Sequence, residues 1–534
     1  MALQFQGRRL SPVRVLIVAA AIAALVAGGL AYWHRANDSA AAADADQWFG
    51  AYVDATSTPF YDIGASAAPE QRVVLGFVVA DPEDDCAPSW GGYYSMDEAA
   101  EVFDLDRRAA RVNAAGGQIV VSTGGLLNDE LATACKDPAA TAAAYRAVLD
   151  RYQSTTLDLD IEGDDLSDAE AGQRRVEAVL QLQQDTDFQL WLTLPAATFG
   201  LAPEGVAEVQ RMLDAGVRID GVNLMTMNFG QTRESGQSMA TASIQAAQTA
   251  HQQLDELYQA KGQKLGERSL WRKIGVTPMI GQNDLLGEVF SLEDAVELNR
   301  FALAQGVGRV SFWSANRDAG CGETYPDLNR VSNNCSGVAQ DTGQFASLLS
   351  AGLGQQTPAV APSLESSGEK APVETAIADD PDASPYPIWN AQFAYVKGDR
   401  TVWRKNVYEA KWWNQNSAPD APAGKDQPQP WSLVGPVLPG DKPAAVLEAP
   451  AGLYPSWSPE KVYTKDDRVL FEGRVVQAKW WNTAQSPEAA LQGSTDSSWM
   501  VLDNATVRKL IDKKPAKTPS APSKASATSP AAEN

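Results

Sequence analysis

Residues Thr155–Gly163 read TTLDLDIEG and set Asp158, Asp160 and Glu162 at alternate positions of an otherwise apolar run. In a β-strand, positions i, i+2 and i+4 share one face. Three carboxylates therefore point one way, while Leu157, Leu159 and Ile161 point the other. An apolar second face indicates a buried parallel strand. Acids stacked on one face resist ionising together, so Asp158 or Asp160 is expected to be protonated or strongly hydrogen-bonded. Their charge, with burial, should raise the pKa of Glu162 and suit it to donate a proton near neutral pH. The bland alternative is an acidic strand end paired with a cation, yet no Lys or Arg lies within the strand.

Such a strand needs a scaffold. Between about residues 46 and 352, strand-like runs alternate with stretches rich in Ala, Leu, Gln and Glu. The runs are Ala51–Thr56, Val73–Ala80, Gln118–Ser122, Thr155–Glu162, Gln189–Leu194, Gly221–Met227, Lys273–Met279 and Gly308–Trp313. Eight strands with intervening helices predict a (β/α)8 TIM barrel, whose active face lies at the strand C-terminal ends. An open doubly wound sheet is the rival, but no strand is followed by a GxGxxG turn. Glu162 sits where the fourth strand should end.

Composition narrows the chemistry. Lys+Arg 44 against Asp+Glu 67 gives a net charge of −23, which disfavours nucleic acid as a partner. With only His34 and His251, Ser-His-Asp hydrolysis and His-rich zinc sites are disfavoured, and no metal or cofactor is expected. His251 is expected on a solvated helix surface. Arg8, Arg9 and Arg14 precede an apolar stretch from Val15 to about Trp33, long enough to span a bilayer and oriented to place the remainder outside. A small-x-small site at Ala43–Ala45 leaves a cleaved signal open beside an uncleaved anchor. The four cysteines allow three pairings, and the close spacing of Cys321 and Cys335 favours a local disulfide, with Cys86–Cys135 following.

Beyond the barrel the chain turns rich in Ala, Pro, Ser and Glu, and then repeats itself. YPIWNAQFAYVKGDR from Tyr386 and YPSWSPEKVYTKDDR from Tyr454 lie 68 residues apart, an offset shared by Trp389/Trp457, Trp412/Trp480 and Trp431/Trp499. An ungapped duplicate of about fifty residues is two copies of one module. Each copy carries AKWWN, and two adjacent indoles in so small a unit are hard to bury together. Exposed indole faces stack on pyranose rings. Trp412, Trp413, Trp480 and Trp481 are the candidate sugar contacts, and Trp389, Trp457, Trp431 and Trp499 the candidate core.

The strand LDLDIE resembles the DxxDxDxE signature of glycoside hydrolase family 18, the chitinases and their relatives, with Thr155 where the first Asp usually stands. Ser122-Thr-Gly-Gly125 resembles the family's SxGG motif, and Met225-Thr-Met-Asn228 its MxYD. Trp313 matches the aromatic floor beneath the reacting sugar. The resemblance implies substrate-assisted retaining hydrolysis, an exception to the two-carboxylate scheme. Glu162 is then the proton donor. Asp160 holds the substrate's acetamido N–H, and Asp158, helped by Ser122, shares a proton with Asp160. Ser122, Asn228 and Trp313 become substrate-binding candidates. Met227 departs from the pattern, since a thioether cannot supply the usual tyrosine hydroxyl; Tyr52 and Tyr94 are candidate replacements. Met225 and Met227 are expected to pack in the core.

The repeats resemble carbohydrate-binding modules of families 5 and 12. The expected order is an N-terminal signal or anchor (1–45), barrel (46–352), linker (353–384), a first small all-β module (385–434), a linker (435–452), a second module (453–503) and a disordered tail (504–534). The expected function is chitinase, endo-acting on β-1,4-linked N-acetylglucosamine polymers, secreted or anchored outside the cell, and monomeric. Cleavage of another N-acetylhexosamine bond, in peptidoglycan or an N-glycan core, and a non-catalytic chitin-binding protein are the alternatives.

Overall fold

The computed structural model describes residues 47–64, 72–322, 331–353, 378–421, 428–443, 447–491, 497–502, 506–507 and 510–511. The N-terminal anchor or signal, most of the linker at 353–384 and nearly all of the tail lie outside the described residues. Among the described residues no helix is long and apolar enough to cross a membrane. The chain divides into two compact units, Met1–Gly368 and Glu369–Asn534.

The first unit is a closed barrel of eight parallel strands: β1 (Trp48–Asp54), β2 (Arg72–Asp81), β3 (Gln118–Gly124), β4 (Thr156–Asp160), β5 (Gln189–Ala197), β6 (Gly221–Met225), β7 (Ile274–Thr277) and β8 (Arg309–Phe312). Each pairs with the next, and β8 returns to β1 through Trp48↔Arg309. Every strand expected from the sequence is present, with ends moved by a few residues. Alternation explains the closure. Val121, Leu157, Leu159, Leu192, Leu224 and Val310 belong to the buried apolar core. Ser122, Asp158, Thr193, Asn223 and Arg309, at intervening positions, are buried together in a polar interior.

The helices begin where short polar side chains can cap them. Asp137 caps α1 (Pro138–Tyr152), which also has Pro at its start, and Asp168 caps α2 (Ala169–Asp185). Ser238 caps α3 (Met239–Ala260), and Ser291 with Asp294 forms a capping box on α4 (Leu292–Gln305). His251 departs from expectation. It is buried and stacked on Trp271, ring centroids 4.2 Å apart, because the shorter helix Glu267–Arg272 covers that face of α3.

Disulfides Cys86–Cys135 and Cys321–Cys335 are both formed. The first ties Asp84–Trp90, a strand folded back antiparallel on β2, to the loop after β3. The second joins two cysteines fourteen positions apart after β8.

The second unit holds two three-stranded antiparallel sheets at matching positions. One comprises Arg400–Trp403, Asn406–Ala410 and Trp431–Pro436; the other Arg468–Phe471, Arg474–Ala478 and Trp499–Val501. In each, a buried Trp meets a buried Tyr edge-on, Trp431 with Tyr395 at 4.9 Å and Trp499 with Tyr463 at 4.8 Å.

Gly124 closes β3 beside the acidic strand. Its φ is +96°, and a Cβ there would lie 2.0 Å from the Asp160 carbonyl oxygen. Gly124→Ala should therefore part the ends of β3 and β4, costing about 2–4 kcal/mol in strain and overpacking. A lowered urea midpoint with lost turnover checks this.

Candidate active site

Asp158 lies in mid-strand and is fully buried. Four donors converge on its carboxylate. Tyr52 Oη (2.6 Å) and Ser122 Oγ (2.8 Å) donate to Oδ2, while Thr193 Oγ1 (2.7 Å) and Arg309 Nη1 (2.6 Å) donate to Oδ1. Arg309 is itself fully buried, and its Nη2 also donates to Tyr52 Oη at 2.8 Å. A buried charge is tolerable only when paired and hydrogen-bonded, and this one is both. The basic partner absent from the strand comes from β8, across the barrel. With its acceptor positions filled, Asp158 makes no hydrogen bond to Asp160, so the expected proton sharing is absent from this arrangement. Ser122 also differs from expectation: it lies beside Asp158 on the neighbouring strand and does not line the cavity.

Asp160, at the strand end, is almost fully buried, and its Oδ1 has no hydrogen-bond partner. Burial first, then the Glu162 and Asp158 charges, hold its pKa well above the usual carboxylate range; Arg309 opposes them. Glu162 continues the extended backbone as the residue before a short helix, Gly163–Ser167, and its side chain caps no backbone N–H of that helix. Burial pushes its pKa from the ordinary 4.5 up to about 7, reinforced by Asp165 and Asp284. The direction matches the sequence-based expectation; the charges responsible do not. The charges acting on it are Asp165, in the short helix that follows, and Asp284, on the loop after β7.

Asp160 and Glu162 face a cavity of about 360 Å³ at the C-terminal end of the barrel. Trp313, just past β8, stacks on Phe77 at 5.4 Å and lines it. Met225 and Met227 also line it and are only part-buried, so they form wall rather than core. Asn228 lies on the wall with φ +53°. Its Nδ2 donates to Asp284 (2.8 Å), and its Oδ1 accepts from the backbone N–H groups of Asp284 and Leu285. Much of its polar capacity thus anchors the loop after β7. Glu288 on that loop accepts from the backbone N–H groups of Phe229 and Gly230, fixing the β6 end further.

Neither tyrosine suggested as the missing hydroxyl fits. Tyr52 lines the cavity, but its Oη is committed to Asp158 and Arg309. Tyr94 packs against Phe103 and is no part of the wall. Its neighbour Tyr93 does line the cavity, at a highly exposed rim position. Sequence reasoning missed Tyr93 and Arg309. In Arg309–Phe312, RVSF, the same alternation that singled out the β4 acids turns Arg309 and Ser311 inward.

In the second unit Trp412 and Trp413 are 42% and 62% exposed, and Trp480 and Trp481 46% and 62%. Each pair lies in the short segment between two strands of different sheets, Ala410 to Asn414 or Ala478 to Asn482. Lys411 and Lys479 lie over Trp412 and Trp480.

A scan against models of protein families finds no match. Over 283 residues the chain is 33% identical to the "Probable bifunctional chitinase/lysozyme" of Escherichia coli (strain K12). It is 32% identical, also over 283 residues, to "Endochitinase 11" of Metarhizium anisopliae. Each match covers 51% of this chain, but 31% of the first protein and 52% of the second, so the chain spans about half the length of these curated relatives or less. Among solved structures, active domain 2 of the chitinase from Pyrococcus furiosus, solved as catalytic-site mutants, superposes with a TM-score of 0.50 at 27% identity. The match covers 57% of this chain and 94% of that one. The barrel has the fold of a chitinase domain. In this chitinase-type barrel the acidic fourth strand opens into the cavity at its C-terminal end.

The raised Glu162 pKa has a consequence for stability. Between pH about 4.5 and about 7 the folded chain keeps a proton that the unfolded chain releases, so this group's contribution falls as pH rises through that window. Glu162→Gln removes the penalty. Relative to the parent, it should gain about 2 kcal/mol between pH 4.5 and 8, after discounting for partial exposure. Urea midpoints of both proteins at the two pH values measure this; a gap that does not widen with pH contradicts it.

Proposed function

We propose that this chain is a chitinase that hydrolyses β-1,4 bonds of N-acetylglucosamine polymers with retention, the substrate's acetamido group acting as nucleophile. The observation that carries this reading is Glu162 facing the cavity, its pKa at about 7, two residues from a buried Asp160 in a barrel similar to a chitinase domain. Glu162 protonates the glycosidic oxygen as the bond from C1 breaks, and the acetamido carbonyl oxygen closes on C1. The resulting oxazolinium is positively charged. Asp160 accepts the acetamido N–H and balances that charge, which a low-dielectric site makes effective. Water then attacks C1 and returns its proton to Glu162, restoring the acid. Trp313 is the floor on which the reacting sugar rests, and Asn228 shapes the wall beside it.

The two three-stranded sheets of the second unit are proposed as chitin-binding modules, with Trp412, Trp413, Trp480 and Trp481 stacking on sugar faces. Their exposure, against buried Trp431 and Trp499, supports that division. Two linked modules raise effective concentration on a polymer even when each binds weakly. Two disulfides fit an oxidising compartment, which supports action outside the cytoplasm, by a monomer that is secreted or anchored through its N-terminal segment.

Glu162→Gln should lower turnover of N-acetylglucosamine oligomers about a thousandfold or more while leaving chitin binding unchanged. In the parent, kcat/KM should fall above pH about 7 as Glu162 loses its proton. Substantial residual hydrolysis by the variant would remove Glu162 from its role. The lysozyme in the Escherichia coli relative's name favours one second reading, cleavage of peptidoglycan. Product profiles on chitin oligomers and on peptidoglycan, compared at equal enzyme, separate the two. Trp413→Ala with Trp481→Ala should reduce retention on insoluble chitin tenfold or more, with hydrolysis of a short soluble oligomer unchanged.

A further inference from the structure

Glu162 stands at the break between a strand and a short helix, and one neighbouring loop grips the chain on both sides of it. On the strand side, the Gly125 N–H donates to the Asp160 carbonyl at 2.9 Å. On the helix side, the Glu130 N–H donates to Asp165 Oδ2, also at 2.9 Å. Gly125 and Glu130 are the two ends of the loop between β3 and the helix Leu131–Ala134. Between these anchors the chain turns out of the strand at Gly163, whose φ is +57°. The placement of Glu162 therefore follows the placement of the loop after β3.

That loop ends in a buried charge which the proposed reaction does not use. Glu130 is fully buried; its Oε2 accepts from Arg175 Nε (3.2 Å) and the Ala132 N–H (2.9 Å), and its Oε1 from Tyr145 Oη. Arg175 on α2 is fully buried too, and its Nη1 donates to Glu208 at 2.9 Å. Glu208 lies on the helix Pro203–Asp214 and is also paired with Arg211. One carboxylate thus ties the loop to α1, to α2 and, through Arg175, to the helix after β5. Burying such a pair adds little net stability, because desolvation offsets the attraction. What it supplies is direction, since a planar guanidinium accepts a carboxylate in few geometries.

We propose that Glu130 is a positioning residue: its buried pairing with Arg175 fixes the loop after β3, and that loop sets where Glu162 meets the glycosidic oxygen. The proposal rests on the reading of Glu162 as proton donor. Asp165 is the link on the helix side. The helix Gly163–Ser167 is too short to hold its own place, so the bond from the Glu130 N–H orients its first turn. A proton donor displaced by about 1 Å loses rate steeply. Trp313 and Asn228 stand on other strand ends, so their contacts with the sugar are left as they were.

The test compares the parent with Asp165→Ala, Asp165→Asn, Glu130→Gln, Tyr145→Phe and Glu162→Gln, each at its own pH optimum, which discounts the charge Asp165 exerts on Glu162. Both kcat and KM are read on a soluble N-acetylglucosamine oligomer and on its 4-nitrophenyl glycoside, whose leaving group needs little help from an acid. Asp165→Ala removes the acceptor and should lower kcat on the plain oligomer about tenfold or more, with KM within about threefold of the parent. On the nitrophenyl bond its loss should be about threefold or less. Asp165→Asn keeps an oxygen for the Glu130 N–H and should recover most of the loss. Glu130→Gln keeps the side-chain shape but not the charge that Arg175 grips, and should show the same split between substrates. If it does not fold, Tyr145→Phe, which only loosens Glu130, should show that split at smaller size. Equal losses on the two substrates, equal losses in the Ala and Asn variants, or a parent-like kcat in Asp165→Ala or in the variant that reports on Glu130, overturn the proposal. Turnover retained by Glu162→Gln overturns instead the reading on which it rests, so the two failures are distinct.

Discussion

The cost of burying carboxylates governs this barrel. Three acids on one strand face cannot all remain charged away from water, and each is accommodated differently. Asp158, the deepest, is matched by Arg309 and three hydroxyls from β1, β3 and β5. Asp160, one step higher, has no cation in contact, and burial raises its pKa. Glu162, at the cavity edge, is desolvated enough to titrate near neutrality yet open enough to meet a ligand. The gradient from a paired carboxyl through an unpaired one to one open to the cavity follows depth along a single strand. It needs a closed barrel, because only closure brings Arg309 of β8 and Tyr52 of β1 to a strand four and three positions away.

The loops above the barrel form a second tier of constraint. The segment after β6 turns through a left-handed residue, Asn228, a conformation costly for a side chain unless surrounding contacts impose it. Those contacts come from one loop: Asn283 Oδ1 accepts from the Asn228 N–H, Asp284 pairs with its amide, and Glu288 takes the next two backbone N–H groups. The β6 end and the β7 loop therefore move as a unit. The same loop supplies Asp284, one of the charges acting on Glu162. Shape and acidity on this side of the cavity thus share one support.

Much of this was legible in the sequence for a simple reason. Parallel strands buried on both faces are short, β-branched and bounded by polar turns, so all eight could be located, and alternation gave the facing of Asp158, Asp160 and Glu162. Alternation within one strand says nothing of what stands opposite. Arg309 lies 151 residues from Asp158, and their contact exists only once the barrel closes. Asp284 acts on Glu162 from the loop after β7, whose path no local pattern encodes. The two methionines of the MTMN segment looked like core because thioethers usually are, but a strand end at the mouth of a barrel turns them into wall. His251 was placed on the surface by its polar neighbours in α3, and a short covering helix with Trp271 reversed that.

The tryptophans carry the same depth argument into the second unit. Trp431 and Trp499 each donate Nε1–H to a backbone carbonyl and meet a tyrosine edge, which makes them cheap to bury. Trp412, Trp413, Trp480 and Trp481 stand in the segment between two sheets and remain exposed. Leaving four large apolar rings in water is unfavourable for a free-standing module, and the arrangement is repeated with near-identical exposures in two copies. Independent folding alone gives no reason for such a repeat, whereas a flat, ring-bearing ligand does. Lysines over Trp412 and Trp480 screen those rings in part, while Trp413 and Trp481 are the more open of each pair. On the proposed reading of these sheets as chitin-binding modules, Trp413 and Trp481 are the indoles most open to a pyranose ring.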